Sequence, residues 1–128
     1  MKPLLERLRA GEVLVGDGAL GTQLIARGLR PGEAPESLGL SRPEWVAEIA
    51  RLYLEAGADF LTTNTFGGSA ARLRLHGLES RTEEVNRVAV ETVRRVAAGR
   101  AYVAGSVGPS GRVLRPYGDA DPAEIGAG

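Results

Sequence analysis

Apolar residues along the chain fall into two alternating patterns, short continuous runs and longer stripes at helical spacing. Residues 2–10 carry Leu4, Leu5 and Leu8 on one side of a short amphipathic helix, stopped by Gly11. Val13-Leu14-Val15 is a continuous apolar run of a length suited to an inner parallel strand. It empties into Gly16-Asp17-Gly18-Ala19-Leu20-Gly21-Thr22, after which Leu20, Leu24 and Ile25 give a brief helical face. Residues 29–40 hold two prolines and two glycines and read as a loop. Ser41-Arg42-Pro43-Glu44 has the form of a capping box with proline in the first turn, and a serine cap is worth roughly 1 kcal/mol. Trp45, Val46, Ile49, Ala50, Tyr53 and Ala56 then recur at helical spacing up to Gly57. Asp59-Phe60-Leu61-Thr62-Thr63 is a second short strand, and residues 70–75 form a short helix. Ser80 or Thr82 caps a longer helix whose buried stripe is Val85, Val88, Ala89, Thr92, Val93 and Val96, closed by Gly99. Residues 101–104 form a third strand that leads into Gly105-Ser106-Val107-Gly108-Pro109-Ser110-Gly111.

Strands alternating with helices imply the α/β class, with parallel β/α units and right-handed crossovers. The strands at 13–15, 60–63 and 102–104 are expected to lie side by side in the order 1-2-3. Their glycine-rich C-terminal loops then converge on one face, where parallel sheets and barrels gather ligand contacts. Asp121-Pro122-Ala123-Glu124 is a helix start, with an acidic N-cap, proline at the first position and glutamate three residues after the cap. The sequence stops at Ile125-Gly126-Ala127-Gly128, before two turns are complete. Three parallel strands by themselves also leave unpaired edges and an uncovered face. Residues 1–128 are therefore expected to be the N-terminal part of a larger domain, interrupted within a β/α unit, and to aggregate or domain-swap when expressed alone.

With 43% hydrophobic and 25% charged residues, the chain has apolar material for a core. Its formal net charge of zero supplies no electrostatic attraction to nucleic acid or an anionic membrane. Neither a leader-like apolar region nor a long apolar span appears, which points to the cytoplasm. Cysteine is absent, so these residues offer no disulfide and no thiolate metal ligand. Lys2 is the only lysine among 16 basic residues, a bias toward arginine found in thermophilic or GC-rich sources.

Gly16-Asp17-Gly18-Ala19-Leu20-Gly21 fits G-x-G-x-x-G literally. A dinucleotide site also needs a second strand about 20 residues on, ending in an acidic residue for the ribose. That position falls near Glu33 and Glu36, inside the proline-rich loop. Asp17 moreover sits where a pyrophosphate would meet backbone N–H groups, and its carboxylate would repel it. The same residues suit a small substrate bearing an ammonium group, with nearby helix N-terminal N–H groups for a carboxylate; an α-amino acid has both. The plainer role for Asp17 is to cap the helix that follows. Thr62-Thr63-Asn64-Thr65, at the end of the second strand, is poor core material because each buried polar group needs a partner. Its simplest use is capping the next helix.

Four motifs in this order carry a family resemblance. Asp17-Gly18-Ala19-Leu20-Gly21-Thr22, Tyr53-Leu54-Glu55-Ala56-Gly57-Ala58-Asp59, Thr63-Asn64-Thr65-Phe66 and Gly105-Ser106-Val107-Gly108-Pro109-Ser110-Gly111 resemble successive motifs of the zinc-dependent homocysteine S-methyltransferases. That family includes the homocysteine module of cobalamin-dependent methionine synthase, betaine–homocysteine methyltransferase and S-methylmethionine-dependent enzymes. The resemblance runs from about Val13 to Tyr117 and implies the first three β/α units of a (β/α)8 TIM barrel, a fold of about 250 residues. It further implies methionine formation, in which homocysteine, held by zinc as a thiolate, attacks an activated methyl group. In the family three cysteine thiolates from the later part of the barrel bind the zinc, and this cysteine-free chain lacks them. The fragment alone is then expected to be inactive.

By the same resemblance, Asp17 and Gly18 match positions contacting the amino-acid end of homocysteine. Thr65 and Phe66, with Asn64 beside them, match the strand-end motif lining that pocket, and Ser106 belongs to the third loop at its mouth. The sole histidine, His76, reads as a surface or packing residue, and Trp45 and Tyr53 as packing on the outside of the barrel. Gly108-Pro109-Ser110-Gly111 and Pro116-Tyr117-Gly118 look more like the methionine synthase module, which implies methylcobalamin on a separate module as donor, with folate and cobalamin modules in the same polypeptide. Betaine, S-methylmethionine and fusion to a folate reductase stay open. So does the different class of a non-catalytic binding or assembly piece.

Overall fold

The structure is a computed structural model and describes residues 1–126. In chain order it forms α1 (Leu4–Arg9), α2 (Gly21–Arg27), a 3-10 turn at Pro35–Ser37, α3 (Leu38–Ser41), α4 (Pro43–Glu55), β1 (Phe60–Thr62) and α5 (Ala70–Leu73). After 3-10 turns at Arg74–His76 and Glu79–Arg81 come α6 (Thr82–Ala97), β2 (Tyr102–Ala104) and α7 (Pro122–Gly126).

β1 and β2 pair in parallel, with Phe60 opposite Tyr102 and Thr62 opposite Ala104. On the other side of β1 a single parallel bridge joins Gly16 to Phe60. The expected order of three adjacent parallel segments is present, but the first is not a strand. Asp59 N–H donates to the Val15 carbonyl at 2.7 Å and Asp17 N–H to the Phe60 carbonyl at 3.1 Å. The Val15 N–H goes to the Asp59 carboxylate at 2.9 Å instead of to backbone. Val13 is 89% exposed, because no described element lies against it.

β1 alternates. Leu61 is fully buried against the helices, whereas Phe60 lies against Gly16 and Thr62 against Asp17. The core joins Ala50 and Leu54 of α4, Leu61, Val93 and Ala97 of α6, and Ala101. A second cluster packs the opposite flank of α4, through Val46 and Ile49, on Leu24 of α2 and Leu38 of α3. The stripe of α4 thus includes Leu54, unforeseen from spacing, while Ala56 is exposed. On α6 the fully buried residues are Val85, Ala89, Thr92, Val93 and Ala97, with Val88 and Val96 half-buried at the margin.

Three local expectations need correction. Residues 35–41 are helical rather than loop, since Pro35 opens the turn with φ already set and Leu38 docks in the second cluster. Ser41 ends α3 instead of capping α4, its hydroxyl donating to the Ser37 carbonyl at 3.3 Å; Arg42 holds the cap position without a side-chain bond. Neither Ser80 nor Thr82 caps α6, whose cap is Arg81; the Thr82 hydroxyl donates back to the Glu79 carbonyl. Ser69 does cap α5. Asp121 caps α7, accepting Ala123 N–H at 2.8 Å; of the terminal run, Ala127 and Gly128 lie outside the described residues.

At the N-terminal end of β1, Asp59 also accepts from Arg7 of α1 at 3.0 Å. The Val15 N–H and then the Arg7 guanidinium hold its carboxyl below the usual carboxylate range. Arg7 also pairs with Glu12 and lies over the Tyr102 ring, so one side chain ties α1 to both strands.

Candidate functional site

The C-terminal ends of the parallel segments surround a cavity of about 250 Å³. Its polar rim is Asp17, Thr62, Thr63, Asn64 and Ser106, and its apolar floor comes from Leu20, Val46, Ile49, Ala50 and Val93. Among the described residues, Asp17 is the only charged one lining it.

Asp17 does not cap α2, whose cap position is Leu20 and carries no side-chain cap bond. Instead its Oδ2 accepts Thr62 N–H and its Oδ1 accepts the Thr62 hydroxyl, both at 2.7 Å. Two charge-assisted bonds from one residue fix the carboxylate's plane, and about two of its four lone-pair sites stay available for a cation. Gly18 is required by close approach, because a Cβ there would stand 2.7 Å from the Tyr53 ring. Tyr53 itself is more than exterior packing. It lines the cavity, and its hydroxyl donates to the Ala19 carbonyl at 2.8 Å, fastening the Asp17 loop to α4.

The run after β1 is mostly consumed in joining strand ends. Thr63 donates to the Thr65 hydroxyl, and Thr65 donates in turn to the Ser106 carbonyl, both at 2.7 Å. Ser106 N–H completes the network on the two threonine oxygens at 3.2 Å. Asn64 is buried and donates through Nδ2 to the Pro35 carbonyl at 2.8 Å. These polar groups are therefore satisfied through strand-to-strand and strand-to-loop bonds, not as helix caps. The structure brings Asp17, Gly18, Asn64, Phe66 and Ser106 to the cavity, whereas Thr65 faces the neighbouring cleft under α6. Sequence reading missed the roles of Thr62 and Tyr53, and also Glu36, a buried carboxyl accepting Gly67 N–H at 2.7 Å. Proline followed by glutamate after Ala34 was a signal for a helical turn there.

Residues 29–41 form no strand, so the second strand that a dinucleotide site needs is missing where its acidic residue would fall. His76 is exposed at the end of its 3-10 turn. Among the described residues no group of three or more His, Cys, Asp or Glu side chains is placed to hold a metal, and no helix is long and apolar enough to cross a membrane. With no cysteine in the sequence and no such group, the described residues do not fit a zinc site.

The model of one protein family, described as homocysteine S-methyltransferase, matches residues 14–126. The chain belongs to the homocysteine S-methyltransferase family. Methionine synthase of Mycobacterium tuberculosis is 38% identical over 109 residues, covering 76% of this chain and 9% of that protein. Betaine–homocysteine S-methyltransferase 1 of Xenopus laevis is 39% identical over 112 residues, covering 83% of this chain and 28% of that protein. The crystal structure of the homocysteine methyltransferase MmuM from Escherichia coli, in its oxidized form, superposes with a TM-score of 0.73 at 28% identity. That match covers 86% of this chain and 42% of the MmuM chain, and the metallated form matches with a TM-score of 0.70. The chain thus spans less than half the length of these relatives.

Proposed function

We propose that these residues form the first three β/α units of a (β/α)8 barrel and bind the amino-acid end of homocysteine in a cytoplasmic enzyme that methylates it to methionine. The observation that carries this is the Asp17 carboxylate, pinned at a strand exit by Thr62 beside a cavity with an apolar floor. A carboxylate held this way receives the substrate's ammonium, and the floor accepts its aliphatic arm. Gly18 keeps the backbone close, and Asn64, Phe66 and Ser106 complete the lining of the same cavity. Thr65 acts indirectly, by fixing Ser106.

Zinc would lower the pKa of the bound thiol, with ligands outside this sequence; no step within this chain passes through it. Methylcobalamin on a separate module is the preferred donor, in a polypeptide that also carries folate and cobalamin modules. Betaine, S-methylmethionine or a folate-reductase fusion would use the same pocket. Methionine synthase and betaine-dependent relatives match almost equally, so homocysteine is the element of the reading they support in common.

The test is methionine formation by the complete polypeptide, given homocysteine with methylcobalamin, betaine or S-methylmethionine in turn. Asp17→Asn should fold, since its amide can accept from Thr62 N–H and donate to the Thr62 hydroxyl. A charge-assisted bond is worth roughly 1.5–3 kcal/mol, so homocysteine affinity should fall about ten- to a hundredfold. Bound zinc should be unchanged. Wild-type protein that neither binds homocysteine nor forms methionine with any donor would refute the reading.

A further inference from the structure

Glu36 is the one acidic residue that the fold buries among the described residues, and the proposed reaction gives it no part. Its Oε1 accepts Gly67 N–H at 2.7 Å, while the carbonyl of the preceding Pro35 accepts from Asn64 Nδ2 at 2.8 Å. Side chain and backbone are thus exchanged in both directions between the turn at 35–36 and the run at 64–67. The fit is close, since a Cβ on Gly67 would stand 2.9 Å from Oε1 and 3.1 Å from the carboxyl carbon. Phe66, between these two grips, is 61% exposed and gains little hold from the core. Its ring is therefore placed by its backbone, which Gly67 and the Gly108 N–H on its own carbonyl at 3.0 Å secure.

We propose that Glu36 is a positioning residue for the amino-acid site, holding residues 64–67 so that Asn64 and Phe66 keep their places in the wall of the cavity that Asp17 also lines. The proposal rests on the homocysteine reading above. A wall that grips the unreacting end of a substrate binds ground state and transition state alike, so its loss raises KM and spares kcat.

The experiment is steady-state kinetics of the complete polypeptide, with amide hydrogen exchange at Gly67, for wild type, Glu36→Gln, Glu36→Leu and Gly67→Ala. Glu36→Leu should raise KM for homocysteine about tenfold or more, with kcat within about twofold and KM for the methyl donor unchanged. Glu36→Gln keeps an acceptor oxygen at the same reach and should stay within about threefold of wild type. Exchange at Gly67 should quicken in the leucine variant and stay slow in the glutamine variant. Gly67→Ala, which crowds the carboxyl without touching its chemistry, should repeat the KM signature and decides the matter if Glu36→Leu does not fold. Unchanged KM in Glu36→Leu, or in Gly67→Ala where that variant decides, would overturn the proposal, as would equal falls in kcat and melting temperature in both Glu36 variants. Wild-type protein inactive toward homocysteine would instead remove the substrate reading, while exchange at Gly67 still decides whether Glu36 holds the wall.

Discussion

At the level of single residues, Asp17 and Asp59 show how one side-chain type at the two ends of one strand does different work. Asp17 lies beyond the C-terminal end, with both oxygens on Thr62 and its free edge toward a cavity. Asp59 lies before the N-terminal end, with its oxygens on Val15 N–H and Arg7, where it fastens α1 and the first parallel segment. Its carboxyl titrates below its ordinary value of 3.8 because those donors favour the charged form. A carboxyl with a lowered folded pKa stabilises above its unfolded pKa and loses that contribution as pH falls through the folded one. Protection of the Val15 amide should therefore be level from neutral pH to about 5 and decline in acid below about 4, a dependence that Asp59→Asn abolishes. Exchange rates across that range check it, and a profile unaltered by Asp59→Asn would contradict it. Asp17 stood out in the sequence through its flanking glycines, but its partner Thr62, 45 positions away, did not. Glu36 was hidden for the same reason, as nothing local distinguishes a buried glutamate from one in solvent until Gly67 arrives beside it.

At the level of elements, hydrophobic stripes were legible and helix ends less so. A stripe records where one face meets the core, so α4 and α6 came through with marginal errors at Ala56 and Leu54. A cap depends on the φ and ψ of a single residue. Ser41 has the right chemistry, but α3 continues through it, and Arg42 makes the break with φ −140° and ψ 54°. The C-terminal end of α4 was easier to read. Gly57, at φ +100°, donates to the Leu54 carbonyl at 3.1 Å, and Ala58 N–H donates to the Tyr53 carbonyl at 3.1 Å. This is the paired closure that favours glycine at that position. The two ends of α4 should therefore respond unequally to substitution. Ser41→Ala should move stability by less than about 0.5 kcal/mol, because the hydroxyl is exposed and caps nothing. Gly57→Ala should cost about 1 kcal/mol or more, because alanine pays for a positive φ. Denaturant midpoints of the same polypeptide separate the two, and a larger loss for Ser41→Ala would mean that the serine does hold the helix start.

For the molecule as a whole, the parallel order of residues 13–16, β1 and β2 was legible because strand and helix alternate without interruption. The weakness of the first segment was not, since it depends on what lies outside it. Among the described residues neither outer edge of this sheet has a strand partner. Val13 and Val15 stand 89% and 58% exposed along one edge, and Phe66 and Val107 stand open at the strand exits. In the proposed barrel further strands would cover both edges. Residues 1–128 expressed alone keep the edges bare, and a bare edge with apolar side chains pairs with another chain. Sedimentation of this fragment should accordingly show association that grows with concentration, accompanied by a broad melting transition. Lysines in place of Val13 and Val15 leave the buried clusters intact and place charge along the exposed edge. They should shift the fragment toward monomer without lowering its melting temperature. A wild-type fragment that sediments as a monomer at every concentration and melts sharply would show that these edges need no partner, and the barrel would lose its physical motive.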